Sequence, residues 1–167
     1  FAALKDDGSV VTWGDSDFGG DSSGVADALS GGVTEIFSTG RAFAALKENG
    51  SVVTWGGTKG AWGDSGGNSS AVTSDLSGGI TKVFSTRYSF AALKDDGSVV
   101  AWGWGSAGGD TSQVAGDLSS GVKQIYSTEF AFAALKEDGS VVTWGYDGRG
   151  GNSNAVGEHL SSGVTEI

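Results

Sequence analysis

Side chains suited to chemistry are few in this chain, and their spacing argues against catalysis. His159 is the single histidine and there is no cysteine, so thiol nucleophiles, disulfides and zinc sites built on thiolates are excluded. His159 precedes Leu160 where equivalent stretches have Ala28, Asp75 and Asp117, which marks a polar surface position rather than a catalytic base. No Gly-x-Ser-x-Gly elbow, Walker-type phosphate loop or His-x-x-x-His pair is expected, and the many Gly-Gly pairs recur as turns rather than opening a helix. Asp15-x-Asp17-x-x-Gly20-Asp21 offers oxygen ligands of the kind calcium takes, but its equivalents keep too few carboxylates and lack the closing Glu of a helical calcium loop. Calcium is the one cofactor this spacing admits, and none is expected. Acids also recur beside a lysine, at Asp6, Asp7, Glu48, Asp95, Asp96, Glu137 and Asp138 with Lys5, Lys47, Lys94 and Lys136, and read as solvated turns. A carboxylate pair for glycoside hydrolysis would have to converge from several repeats, and nothing singles out two. The expectation is a protein that is not an enzyme, with a hydrolase as the weakest reading.

Recognition chemistry is better represented. Phe18, Trp62, Tyr88, Trp104, Phe130 and Tyr146, with Arg41, Arg87 and Arg149, stand where otherwise near-identical repeats differ. Aromatic rings and arginines are enriched at protein-interaction hot spots, and flat rings also stack on sugars. These nine residues form the candidate binding set, for protein or glycan. The bland alternative is that the rings only cover the ends of sheets, in loops that vary because little constrains them.

The elements that must position them follow from a repeat. Phe-Ala-Ala-Leu-Lys begins at Phe1, Phe43, Phe90 and Phe132, giving periods of 42, 47 and 42 residues and dividing a single domain, 1–167, into units 1–42, 43–89, 90–131 and 132–167. Periods of this size mean propellers, solenoids or arrays. Every unit reads F-A-A-L-K-[DE]-[DN]-G-S-V-V-[TA]-W-G, a variable stretch, G-G-[DN]-[ST], then V-x-x-x-L-S-x-G-[VI]-x-x-[VI]. The first two segments flank a turn such as Asp6-Asp7-Gly8 and predict a β-hairpin. A third strand is expected from Val33, Ile80, Val122 and Val164 onward, and a fourth, weaker one around Val25, Val72, Val114 and Val156. The recurring Trp13, Trp55, Trp102 and Trp144 read as core. Tracing strand directions brings both variable zones, after each Trp-Gly and after each Ser-Thr, to one rim, with the acidic turns on the other.

Composition agrees with a turn-rich all-β domain: Gly contributes 31 residues and Pro none. A net charge of -10 would repel phosphate backbones and anionic headgroups, so nucleic acid is not an expected partner. No apolar run approaches the ~18 residues of a spanning helix, so membrane insertion is not expected either. The absence of Met and an opening inside the first repeat fit a mature product or an excised piece.

The run G-V-x-x-I-x-x-x-x-x-x-x-A-L-K-x-D-G-x-V-x-x-W-G resembles the repeat of the regulator of chromosome condensation family, and is also similar to the bacterial β-lactamase inhibitory propeller. The likeness covers nearly the whole chain, strongest at Ala3-Leu4, Ala45-Leu46, Ala92-Leu93, Ala134-Leu135, the turn Gly and the Trp-Gly pair. It implies an all-β propeller of four antiparallel blades of about 42 residues, part of a larger ring or array, because such propellers commonly close seven. Where the family has Gly and then His ahead of Ala-Leu, this chain has Thr39 and Ala42, Thr86 and Ser89, and Thr128 and Ala131, which sets exchange-factor activity aside. Val164-Thr165-Glu166-Ile167 is a third strand with no hairpin after it, and Phe1 to Lys5 a hairpin with no such strand before it. Either these ends pair within a four-bladed ring, or two chains join head to tail as an eight-bladed homodimer, or neighbouring repeats of a longer array complete them. The functional expectation is a non-catalytic scaffold that binds protein or glycan, from a secreted or cell-surface bacterial protein; the alternative is an inhibitor-like propeller that blocks one enzyme.

Overall fold

In each unit the Phe-Ala-Ala-Leu-Lys and Ser-Val-Val segments pair as an antiparallel hairpin, because the turn between them closes tightly. Lys5 N donates to Ser9 O at 2.9 Å and Gly8 N to Lys5 O at 3.0 Å, with Gly8 at φ 75°, a left-handed conformation that only glycine adopts at little cost. Gly50, Gly97 and Gly139 repeat it at φ 75°, 77° and 79°. The computed structural model describes residues 1–57 and 63–167, so the predicted site residue Trp62 lies outside the described residues.

The strands are β1 (Ala2–Leu4), β2 (Val10–Thr12), β3 (Val33–Ser38), β4 (Ala42–Lys47), β5 (Val52–Gly56), β6 (Ile80–Ser85), β7 (Ser89–Lys94), β8 (Val99–Gly103), β9 (Val122–Ser127), β10 (Ala131–Lys136) and β11 (Val141–Gly145). They form three antiparallel sheets, β3-β4-β5, β6-β7-β8 and β9-β10-β11, and a two-stranded β1-β2. The last strand of one sequence unit therefore pairs with the hairpin of the next: Ile36 lies opposite Ala45 and Val83 opposite Ala92. These four sheets are propeller blades.

A middle strand is buried on both faces, which is why Phe-Ala-Ala-Leu shows no polar alternation. Phe90 and Ala92 pack with Leu76, Ile80 and Trp102 towards the preceding blade. Ala91 and Leu93, on the opposite face of the same strand, pack with Leu118, Ile125 and Phe132 towards the following one.

The expected fourth strand is not formed. Val25 and Val72 end short 3-10 turns (Ser23–Val25 and Ser70–Val72), Val156 lies in another (Asn154–Leu160), and Val114 sits in a plain turn. The cause is local: the carboxylate or amide oxygen of Asp21, Asn68, Asp110 and Asn152 accepts the main-chain N–H two residues on, at 2.9, 3.0, 2.9 and 2.9 Å, which winds the chain into a turn. The segment still covers the outer strand, since Val10, Val52 and Val99 N donate to Leu29, Leu76 and Leu118 O.

Two further expectations are corrected. Val164 to Ile167 form no strand, so the four-bladed ring in which they lie beside Phe1 to Lys5 is not made. Trp55, Trp102 and Trp144 are core at 4% exposure, but Trp13 is 51% exposed. No helix among the described residues is long and apolar enough to cross a membrane.

Candidate functional site

Three threonines gather the two variable zones of each blade. Thr39, Thr86 and Thr128 Oγ1 accept the N–H of Ala42, Ser89 and Ala131 at 2.9, 3.1 and 3.1 Å, fixing the Ser-Thr loop. The same hydroxyls donate to the carbonyls of Ser65, Ala107 and Arg149 at 2.9, 3.0 and 3.2 Å, the residues just ahead of each Gly-Gly turn. The positions where the chain departs from the family repeat are thus the ones that tie one loop to the other. Neighbouring blades join there too: Gly40 N donates to Arg87 O at 2.8 Å and Arg87 N to Glu129 O at 2.9 Å.

On this rim the predicted residues divide into two groups. Trp104, Tyr88, Phe130 and Tyr146 form a continuous array, with ring centroids 5.5, 6.0 and 6.4 Å apart in that order. With Arg149, whose guanidinium lies 5.5 Å from the Phe130 ring centre, they line a cavity of about 280 Å³ between the last two blades. Arg87 lies over Tyr88 at 5.5 Å and bonds Glu129 at 2.7 Å, and that carboxylate holds the guanidinium above its ordinary pKa. Phe18 and Arg41 sit apart, stacked at 4.6 Å beside a second hollow of about 600 Å³ that Phe37 and Phe43 also line. The array follows from sequence position: Tyr88 and Phe130 occupy one loop place where the first such loop has Arg41, and Trp104 and Tyr146 another where earlier blades have Asp15 and Gly57.

The array can supply apolar area, ring faces and one guanidinium that forms no ion pair among the described residues. Tyr146, half exposed at 50%, is its outermost ring.

On the opposite rim, Asp7, Asp96 and Asp138 Oδ1 each accept both the N–H and the hydroxyl of the serine two residues on, the hydroxyl at 2.6 Å. These bonds hold the carboxyls below the usual range, Asp7 down to about 2 with Lys5 adding to the effect. Asn49 makes the same two bonds with Ser51 without a charge.

Among the described residues no group of three or more acidic or histidine side chains comes together to hold a metal. Asp15 and Asp21, the residues considered for calcium, instead accept the main-chain N–H of Asp17 and Ser23 at 2.9 Å. Two stretches spell the G-x-S-x-G of hydrolase nucleophiles, Gly20 to Gly24 and Gly63 to Gly67. Neither presents its serine as an elbow does: Ser22 Oγ bonds Thr12 Oγ1 at 2.9 Å, and Ser65 is buried in the loop that Thr39 ties down.

No protein-family model matches the chain, and no curated protein is similar to it at a significant level. Solved structures do match. Yeast RCC1 (Prp20), in its crystal structure with Kap60, superposes with a TM-score of 0.59 at 21% identity over 86% of this chain and 41% of its own. Prp20p of Saccharomyces cerevisiae gives 0.58 at 22% over 87% and 42%. Human WBSCR16 gives 0.50 at 20% over 99% and 50%. The chain spans half or less of the length of these proteins. What it shares with them is the fold, a run of RCC1-type β-propeller blades.

Proposed function

We propose that the chain is a non-catalytic propeller scaffold that binds a protein partner through the Trp104–Tyr88–Phe130–Tyr146 array and Arg149. The observation that carries this is the cavity of about 280 Å³ between the last two blades, lined by four rings and the Arg149 guanidinium. Such a mixture of rings and arginine is what protein hot spots are built from. The fold neighbours agree in kind, since one is solved bound to Kap60 and another is described by its binding to Gsp1p and histones. A glycan stacked on the same rings is the second reading, favoured by the exposed face of Tyr146. An inhibitor-like propeller differs only in having a single tight enzyme partner. A secreted or surface-held bacterial location belongs to this reading, and the acidic, cysteine-free composition is compatible with it.

The test is a selection of peptides from a random library on the immobilised chain, followed by affinity measurement against Tyr146→Ala and Arg149→Ala. Loss of tenfold or more in affinity, about 1.4 kcal/mol, is expected for each. Peptides that bind both variants as tightly as the parent chain would sink the proposal. Glycan-array binding that Tyr146→Ala abolishes, with no peptide selected, would replace protein by sugar.

A further inference from the structure

Asn49 is the one place where the recurring turn of the acidic rim carries an amide. Asp7, Asp96 and Asp138 fill that position in the other units, and in all four a Gly and then a Ser follow. All four side chains are exposed and make the same two bonds, Oδ1 accepting the N–H and the hydroxyl of the serine two residues on. At Asn49 the two distances are 3.0 and 2.7 Å. Of the asparagines in the chain, Asn49, Asn68, Asn152 and Asn154, only Asn49 is followed by glycine.

The side-chain carbonyl of an asparagine is an electrophile that the next main-chain nitrogen can reach by closing a small ring, and a glycine there leaves that nitrogen unshielded. Attack drives an electron pair onto Oδ1. At Asn49 the Ser51 N–H and hydroxyl already point at that oxygen, as donors do in sites that stabilise an oxyanion. Asp7, Asp96 and Asp138 have the same donors but not the electrophile. An ionised carboxylate repels a nucleophile, and the serine bonds keep these carboxyls ionised, Asp7 down to about 2. Asn68 and Asn152 Oδ1 also accept the N–H two residues on, at 3.0 and 2.9 Å, but a serine follows each, and its Cβ crowds the nitrogen that would attack.

We propose that Asn49 is a modification site, at which Gly50 N attacks Cγ with the Ser51 hydroxyl holding Oδ1, and the amide is exchanged for a carboxylate without an enzyme. Gly50 N, whose hydrogen is donated to Lys47 O at 2.9 Å, gives that hydrogen up to hydroxide and bonds to Cγ. The Cγ–Nδ2 bond then breaks, and Nδ2 leaves as ammonia with a proton taken from water. Water opens the cyclic imide at Cγ to give an aspartate in the ordinary chain, or at the main-chain carbonyl to give an isoaspartate. Nothing is oxidised or reduced. The fold accepts the aspartate, since three sister turns already hold one with the same two bonds. The isoaspartate lengthens the main chain inside a hairpin closed by Lys47 N on Ser51 O at 2.9 Å, and breaks the turn. Each event that yields aspartate adds one negative charge to the rim opposite the aromatic array.

The folded chain is held in mildly alkaline buffer and mapped by peptide mass spectrometry. The mass gain of an amide becoming an acid is expected at Asn49 first, ahead of Asn68, Asn152 and Asn154. Ser51→Ala should slow it roughly fivefold, the factor that one hydrogen bond of ordinary net strength is worth. A hydroxyl that only stiffened the turn would give the opposite sign, because its loss would loosen Gly50 N from Lys47 O and speed the attack. In the chain unfolded by denaturant Ser51→Ala should change little. Asp96→Asn should create a second site, since Ser98 offers the same two donors at 2.9 and 2.6 Å. The proposal is overturned if Asn49 is not the first asparagine to react, or if Ser51→Ala leaves the folded rate unchanged or raises it. Equal slowing in the unfolded chain, or an amide at position 96 that persists while Asn49 reacts, would overturn it as well.

Discussion

Trp13 and Trp102 stand in the same sequence, Val-Val-x-Trp-Gly, each stacked on the phenylalanine across its hairpin at 5.4 and 5.3 Å, yet one is half in water and the other is buried. Their own blades are not what separates them. Trp102 has a preceding blade whose Gly66 carbonyl takes its indole N–H, and among the described residues no blade stands in that place beside Trp13. The comparison teaches that a blade makes its hairpin by itself but borrows its core from its neighbour, as expected of a small sheet with two apolar faces.

The strongest way to break the comparison is to remove each ring from the single chain. Trp102→Ala should cost about 3–5 kcal/mol, the usual range for a buried tryptophan. Trp13→Ala should cost well under half of that. Equal losses in denaturant midpoint would show that the blade's own hairpin, not its neighbour, carries the indole's contribution.

A finer contrast uses two glycines with one backbone conformation. Gly108→Ala and Gly150→Ala both place a Cβ at φ 102°, but only at Gly108 does that carbon meet a ring, Phe132 at 2.5 Å. The difference between the two variants should be about 1–3 kcal/mol, the range for overpacking a well-filled site, and denaturant unfolding would measure it.

Smaller effects are expected at the threonines. Thr86→Val leaves the Ala107 carbonyl and the Ser89 N–H without their partner in a buried setting, a loss of roughly 1–3 kcal/mol. Thr128→Val breaks the same bonds where water can replace them and should cost less. A reversal of that order in thermal midpoint would mean that the rim loops are stabilised by something other than these hydroxyls.

The smallest effect separates the two rims by pH. Asp7, Asp96 and Asp138 have folded pKa values below the ordinary 3.8, so they stabilise the fold fully above that value. The contribution fades as pH falls, and for Asp7 it is lost as pH passes through about 2. Asp96→Asn should copy the uncharged Asn49 turn, leaving the midpoint at pH 7 nearly unchanged and flattening its decline below about pH 4. An unchanged decline would show that other carboxylates dominate acid unfolding.

Much of the fold was legible because it rests on local rules. A glycine that must take positive φ after Lys-[DE]-[DN], between two apolar runs, marks a hairpin wherever it occurs, and strand direction then forces both variable zones to one rim. The fourth strand was misread because a valine between polar residues looks the same in a strand and in a turn. The Asx bond that decides between them depends on one side-chain oxygen meeting one N–H, at Asp21 as at Asn152. The nine candidate residues were found as differences between repeats, but their division could not be: Phe18 and Arg41 face one hollow, and the Tyr88 array with Arg149 another.

The sequence by itself determined the repeat, the hairpins and the rim on which variation collects, since these depend on contacts within one repeat of the chain. Only the tertiary structure decided which copies of an identical motif are core and which are surface, and which rings touch. The physical reason is that apolar burial belongs to pairs of blades: the same motif that buries Trp55, Trp102 and Trp144 leaves Trp13 in water, because burial depends on what stands on the other side.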